Sequence, residues 1–239
     1  PKGVCLIISP WNYPFILAIG PLISALAAGN TVILKPSEHS PNTSRLIESM
    51  VSDLFDPSDV AVFQGEVEVA QALLELPFDH IFFTGSTQIG KKVMAAASEN
   101  LASVTLELGG KSPVIIGASA SPGEAAERIS WGKFLNTGQT CIAPDYAFIH
   151  SSQWDTFLKE FVFYTEKLYG QGGKEFADSG DYARIINKSH FDRLSKALDE
   201  ALDAGATLIY GGRRNEEDLY FEPTIIAKVP EDCTLMQEE

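Results

Sequence analysis

The stretch HIFFTGSTQIGKK, residues 80–92, holds the change of pattern on which the fold turns. An apolar, aromatic run ending at Thr84 reads as a buried strand, Gly85 relieves a tight turn, and a helical pattern begins near Ser86. A helix that starts this way turns its first N–H groups towards whatever anion sits before it. The same letters nearly spell a triphosphate loop, because Gly85 and Gly90-Lys91 follow the pattern glycine, four residues, glycine, lysine. That loop needs serine or threonine next, to ligate magnesium through its hydroxyl, and Lys92 occupies the position. The stretch therefore suits a phosphate better than a magnesium-bound triphosphate. The plainer alternative is a β-to-α turn capped by Ser86, with Lys91 and Lys92 as solvated helix residues.

Outward from this unit the alternation repeats. Apolar runs at residues 4–9 (VCLIIS), 31–36 (TVILKP), 60–65 (VAVFQG) and 103–108 (SVTLEL) read as strands, and residues 14–28, 41–54, 66–76 and 86–98 as helices. Strands that are apolar throughout suit a parallel sheet covered on both faces. The pattern predicts a Rossmann-like, doubly wound α/β domain over residues 1–110. Gly109-Gly110 is the first strong break, after which a second α/β unit over 111–239 begins with PVIIG. Its helices are expected at 124–135, 153–168 and 189–204, its strands at YAFIH and around TLIYGG and EPTIIAKV, and a Gly-rich loop at GQGG, residues 170–173.

Composition narrows the classes. The 239 residues carry 18 basic against 32 acidic side chains, with no basic cluster, a field that repels nucleic acid and anionic membranes. Three distant cysteines, without C-x-x-C or histidines at ligand spacing, point to a reducing, cytoplasmic setting and to no metal site. The longest apolar run, residues 14–29, is too short and too interrupted by glycine and proline to span a bilayer, and a basic start followed by a cleavage site is not seen in these residues. The chain starts at Pro1 without methionine, which leaves room for an upstream segment.

Five positions bear chemistry, each with a plainer alternative. Lys35 closes a strand with Glu38 nearby; at the carboxyl end of a parallel strand such a pair suits a ribose, and the carboxylate repels a 2′-phosphate. As an ordinary pair it would be solvated. Cys141, in FLNTGQTCIAPDY, is a thiol among small polar residues with Gly138 allowing close approach, suited to nucleophilic use. Cys5 lies inside an apolar strand, and Cys233 follows two acids, which disfavour a thiolate. Glu107 points away from Val104, Leu106 and Leu108, next to a glycine pair, as a general base or simply as an exposed glutamate. Asn12, between two prolines, is either an oxyanion donor or a turn asparagine.

Together PWNYP, LKPSE, FTGSTQIGK, LELGGKSP and FLNTGQTCIAPD, in this order, resemble the aldehyde dehydrogenase superfamily over essentially the whole chain. The form Gly-Gln-Thr-Cys-Ile-Ala-Pro-Asp-Tyr is most similar to its class 3, fatty-aldehyde and coniferyl-aldehyde branch. The resemblance implies Cys141 as nucleophile, Glu107 as general base, and Asn12 with the Cys141 amide as oxyanion donors. It implies Lys35 and Glu38 at the adenosine ribose, Gly85 and Ser86 near the pyrophosphate, and Glu239 at the nicotinamide ribose of NAD or NADP, with Glu38 favouring NAD. It further implies that residues 1–110 bind NAD(P) and 111–239 form the catalytic domain. The expected activity is oxidation of an aldehyde to a carboxylic acid by a homodimer or homotetramer. Family members extend beyond Pro1 and Glu239, so this chain is expected to be a piece of a longer protein. The rivals are a CoA-acylating semialdehyde dehydrogenase, a nucleoside triphosphatase using Gly85 to Lys91, and a non-catalytic relative.

Overall fold

The computed structural model describes residues 1–170 and 175–239, so most of the expected Gly-rich loop, residues 171–173, lies outside the described residues. The chain divides into two compact units, Pro1–Gly109 and Gly110–Glu239.

In the first unit β1 (Val4–Ile8), α1 (Ile16–Ala27), β2 (Thr31–Lys35), α2 (Pro41–Leu54), β3 (Val60–Val62), α3 (Val67–Leu74), β4 (His80–Thr84), α4 (Thr87–Glu99) and β5 (Ser103–Glu107) follow one another. The five strands form one parallel sheet in the order β3-β2-β1-β4-β5. The alternation of side chains along a strand explains why β1 is apolar without interruption. Cys5 and Ile7 meet Ala18, Leu22, Ile47 and Val51 of α1 and α2 on one face. Leu6 and Ile8 meet Leu73, Val93 and Ala97 of α3 and α4 on the other. Because β2 and β3 extend to one side of β1 and β4 and β5 to the other, the chain reverses between β1 and β4. Open α/β sheets bind ligands outside the carboxyl ends of their strands at such a switch point.

Local chemistry sets the helix ends. Pro41 opens α2, where its missing N–H costs nothing. α3 stops at Leu74, two residues short of expectation, because Leu76 precedes Pro77 and is steered away from helical angles. α1 begins at Ile16 rather than residue 14, its first turn closed from Leu17 N–H to the Tyr13 carbonyl at 3.1 Å.

The second unit contains β6 (Ser112–Ile116), α5 (Pro122–Phe134), β7 (Pro144–Ile149), α6 (Trp154–Tyr169), α7 (Lys188–Asp203), β8 (Thr207–Tyr210), β9 (Arg214–Asn215), β10 (Tyr220–Phe221), β11 (Ile225–Ala227) and α8 (Thr234–Gln237). β6 and β7 are parallel, while β8 pairs with β11 and β9 with β10 antiparallel. Its core joins Ile116 to Ala126 and Phe134 of α5 and to Phe157 and Phe161 of α6. The β9–β10 hairpin and α8 have no counterpart among the expected elements; two-residue strands and a single helical turn are too short to show a period. Among the described residues, no helix is long and apolar enough to cross a membrane.

Candidate active site

The carboxyl edge of the parallel sheet gathers every first-unit residue singled out above. Asn12 follows β1, Lys35 ends β2 with Glu38 after it, Gly85 and Ser86 follow β4, and Glu107 ends β5. Register holds them in line. Ile8 pairs with Lys35 and Thr84 with Glu107, and the Ser9 and Gly85 amides donate to the Lys35 and Glu107 carbonyls at 3.1 and 3.0 Å.

Lys35 is not a solvated surface lysine. It is 3% exposed, and its Nζ lies 2.7 Å from Glu38 Oε2. Burial alone would raise the Glu38 pKa, but the Lys35 hydrogen bond, the Glu38 main-chain N–H and the Lys35 charge outweigh it and hold the carboxyl below the usual range. Glu38 is thus an anion at neutral pH, which suits ribose hydroxyl donors and opposes a phosphate beside them.

At the glycine turn, a Cβ on Gly85 would stand 2.6 Å from the buried Phe83 ring, so a larger residue there would have to displace that ring. Ser86 caps α4 by accepting from Ile89 N–H at 3.4 Å, and Lys91 and Lys92 are exposed. The local structure is the capped β-to-α turn, with the N-terminus of α4 just behind it. Glu107 is exposed, while Val104, Leu106 and Leu108 pack against the core from the opposite face. The Asn12 Oδ1 accepts from Tyr13 N–H at 3.0 Å, so donation from this carboxamide falls to Nδ2.

In the second unit Cys141 follows a tight turn. After α5, Asn136, Thr137 and Gly138 are all left-handed, with φ of 52°, 58° and 79°. Gly138 answers a close approach as well as its angle, since a Cβ there would meet the Lys133 carbonyl at 3.0 Å. Thr140 N–H then donates to the Gly138 carbonyl at 2.8 Å and Ala143 N–H to the Thr140 carbonyl at 2.9 Å, folding the chain around Cys141. Cys141 is partly exposed, whereas Cys5 and Cys233 are buried at 3% and 4%. Burial, then Asp79, pushes the Cys5 thiol up; burial, then Asp232 and Glu200, does the same at Cys233. Both therefore stay protonated at neutral pH.

Glu239 lies in the same corner as Cys141. Its side chain is exposed, and partial desolvation pushes its carboxyl up, in part offset by a hydrogen bond from the Gly110 amide. A Cβ on Gly110 would stand 3.6 Å from the Cys141 carbonyl oxygen, so Gly110 adjoins both residues.

Residues 1–239 match the model of the aldehyde dehydrogenase family. The chain belongs to that family. It is 47% identical over 239 residues to 4,4'-diaponeurosporen-aldehyde dehydrogenase of Staphylococcus aureus, covering all of this chain and 51% of the relative. It is 45% identical over 239 residues to a probable coniferyl aldehyde dehydrogenase of Pseudomonas aeruginosa, covering all of this chain and 49% of the relative. Among solved structures, Mycobacterium tuberculosis aldehyde dehydrogenase complexed with NAD+ superimposes with a TM-score of 0.89 at 30% identity, over all of this chain and 50% of that one. The chain thus spans about half the length of the relatives it matches.

Sequence reasoning passed over several residues that shape the second-unit corner of this family member. Lys111 Nζ reaches Asp145 Oδ2 at 2.6 Å, the Leu235 carbonyl at 2.7 Å and the Glu238 carbonyl at 3.2 Å. Arg193 Nη1 adds a bond to the Glu239 carbonyl at 2.7 Å, so two cations secure the segment that carries Glu239. Lys133 is pushed down by burial, with Asp145 and Glu239 opposing the shift and Lys111 adding to it. Lys111 stands in the quoted LELGGKSP, and its place directly after the glycine pair was the available signal. Its acceptors, more than a hundred residues onward for the two carbonyls, gave none.

Proposed function

We propose that the protein oxidises an aldehyde to a carboxylic acid with NAD(P)+, using Cys141 as the nucleophile. The observation that carries this reading is the presentation of Cys141: a partly exposed thiol on a left-handed turn, in a family member whose other two cysteines are buried. The thiolate adds to the aldehyde carbonyl, and Asn12 Nδ2 with the Cys141 amide takes the oxyanion. A bound nicotinamide would supply the hydride acceptor that lets the Cys141 thiohemiacetal collapse to an acyl thioester. Glu107 then takes a proton from water, which attacks the thioester, frees the carboxylate product and returns the thiol.

The residues present fit a dinucleotide. The pair of buried Lys35 and partly exposed Glu38 at a strand end offers one donor and one acceptor to ribose hydroxyls, near the switch point where α/β sheets bind nucleotides. Gly85 and Ser86 would face the pyrophosphate at the start of α4, and Glu239 the nicotinamide ribose. On this reading residues 1–110 bind NAD(P), with NAD favoured, and 111–239 belong to the catalytic domain of a cytoplasmic homodimer or homotetramer.

Assays with NAD+ and NADP+ against short, long-chain and aromatic aldehydes should yield the free acid whether or not CoA is present. Acyl-CoA as the main product, or turnover without reduced nicotinamide, would overturn the reading. Glu38→Gln removes the anion that opposes a 2′-phosphate while keeping an acceptor for ribose. The ratio of kcat/KM for NAD+ over NADP+ should fall about tenfold, ~1.4 kcal/mol of discrimination, and an unchanged ratio would remove Glu38 from the cofactor site.

A further inference from the structure

Within the turn that presents Cys141, Gln139 N–H donates to the Asn136 carbonyl at 3.1 Å and Asn136 Nδ2 to the Gln139 carbonyl at 3.4 Å. Left-handed angles at Asn136 and at β-branched Thr137 are unfavourable for L-residues, and among the described residues the buried Thr137 Oγ1 has no hydrogen-bond partner. The side chain two residues before the thiol ties this turn to a distant part of the chain. Gln139 Nε2 donates to the Asn136 carbonyl at 3.0 Å, inside the turn, and to the Arg184 carbonyl at 3.0 Å, outside it. Its Oε1 accepts from Ile186 N–H at 2.9 Å. One carboxamide therefore ties the turn to itself and, like a short rung of a β-ladder, to the chain at residues 184–186.

That second anchor is itself fixed. Ile185 N–H donates to the Leu219 carbonyl at 3.1 Å. Arg184 donates to the Ala177 carbonyl at 2.6 Å, to the Tyr182 carbonyl at 3.1 Å and to Asp218 Oδ2 at 2.7 Å. Its guanidinium lies over the Tyr220 ring, 5.2 Å from the centroid. A carboxamide bonded on both ends to ordered backbone transmits that order to the residues that follow it.

We propose that Gln139 is a positioning residue for Cys141: it locks the left-handed turn to the 184–186 segment and so fixes where the thiol and its main-chain amide stand. The inference rests on Cys141 being the nucleophile. Gln139 has no part in the proposed bond-making steps. It acts through Thr140 and the bend around Cys141, so its loss shows in how the thiol reacts rather than in how substrate binds.

The test compares Gln139→Glu, Gln139→Met and Gln139→Asn with the wild-type protein. Glutamate keeps the acceptor for Ile186 N–H but turns a second oxygen towards two carbonyls; methionine removes all three bonds at similar length. The primary readout is the rate of Cys141 alkylation by iodoacetamide across pH, followed by mass spectrometry of the Cys141 peptide. Both variants should alter that profile, and kcat should fall at least tenfold or so while KM for aldehyde stays within about twofold, as a misplaced reacting group requires. Unchanged alkylation with a lowered Tm would mean that Gln139 only braces the fold and would overturn the proposal. Should glutamate and methionine prevent folding, the shorter Gln139→Asn must still show the altered alkylation profile, or the proposal fails. Alkylation does not require turnover, so a wild-type protein that oxidises no aldehyde would refute the proposed function separately from this role.

Discussion

Cys141→Ala is expected to form no reduced nicotinamide with any aldehyde, in either the first turnover or the steady state. Without the sulfur there is no thiohemiacetal, and a hydrated aldehyde is a poor hydride donor with no covalent tether to orient it. A loss of at least about 10⁴-fold, more than ~5 kcal/mol of transition-state stabilisation, follows if the covalent route is the only effective one. The other cysteines cannot substitute. Cys5 is enclosed by the first-unit core, and Cys233 is buried beside Asp232 and Glu200, with both thiols held in the protonated form. Cys233→Ala is the matching control and should leave kcat within about twofold of wild type, since its thiol is buried, held protonated and takes no part in the proposed chemistry. The measurement is a stopped-flow trace of NADH absorbance alongside intact-protein mass after incubation with aldehyde. Turnover near wild type in Cys141→Ala would remove the cysteine from the mechanism.

The first-unit fold could be read from the sequence because a parallel sheet buried on both faces writes itself as unbroken apolar runs. In β1, Cys5, Leu6, Ile7 and Ile8 each serve one core or the other, so none could be polar. The glycine turn was legible as a turn, but not its cause, the Phe83 ring folded against Gly85. Lys35 was legible as a strand-end residue and not as a buried one, because a lysine is usually solvated unless something pairs with it, and the partner is fixed only by the turn at Glu38 and His39. The Cys141 turn was the least legible part. Thr137 is β-branched and argues against the left-handed angle it adopts, and the contacts that hold the turn reach from Gln139 to Arg184 and Ile186. Local pattern reports local preference; a conformation imposed by distant partners leaves no periodic trace.

Glu107→Gln should separate the two halves of the reaction. Glutamine matches glutamate in size, and the backbone at this position is held independently, by the β5 pairing of Glu107 with Thr84 and by Gly85 N–H donating to the Glu107 carbonyl at 3.0 Å. The substitution therefore removes a proton acceptor and little else. On the proposed mechanism, addition of the thiolate and loss of hydride do not draw on this carboxylate, so a first burst of NADH of about one equivalent per site should survive. Water must then attack the thioester without a base, and the steady-state rate should fall by roughly 10²–10⁴-fold, the range supplied by general-base catalysis. The acyl group should accumulate on Cys141 and be visible as an added mass on the intact protein. Hydroxylamine, a nucleophile that needs no such base, should release it as the hydroxamate and restore part of the turnover. Loss of the burst itself would instead place Glu107 before hydride transfer, as the group that deprotonates Cys141, and an unaltered steady state would return it to the ordinary exposed glutamate that its place on β5 also allows.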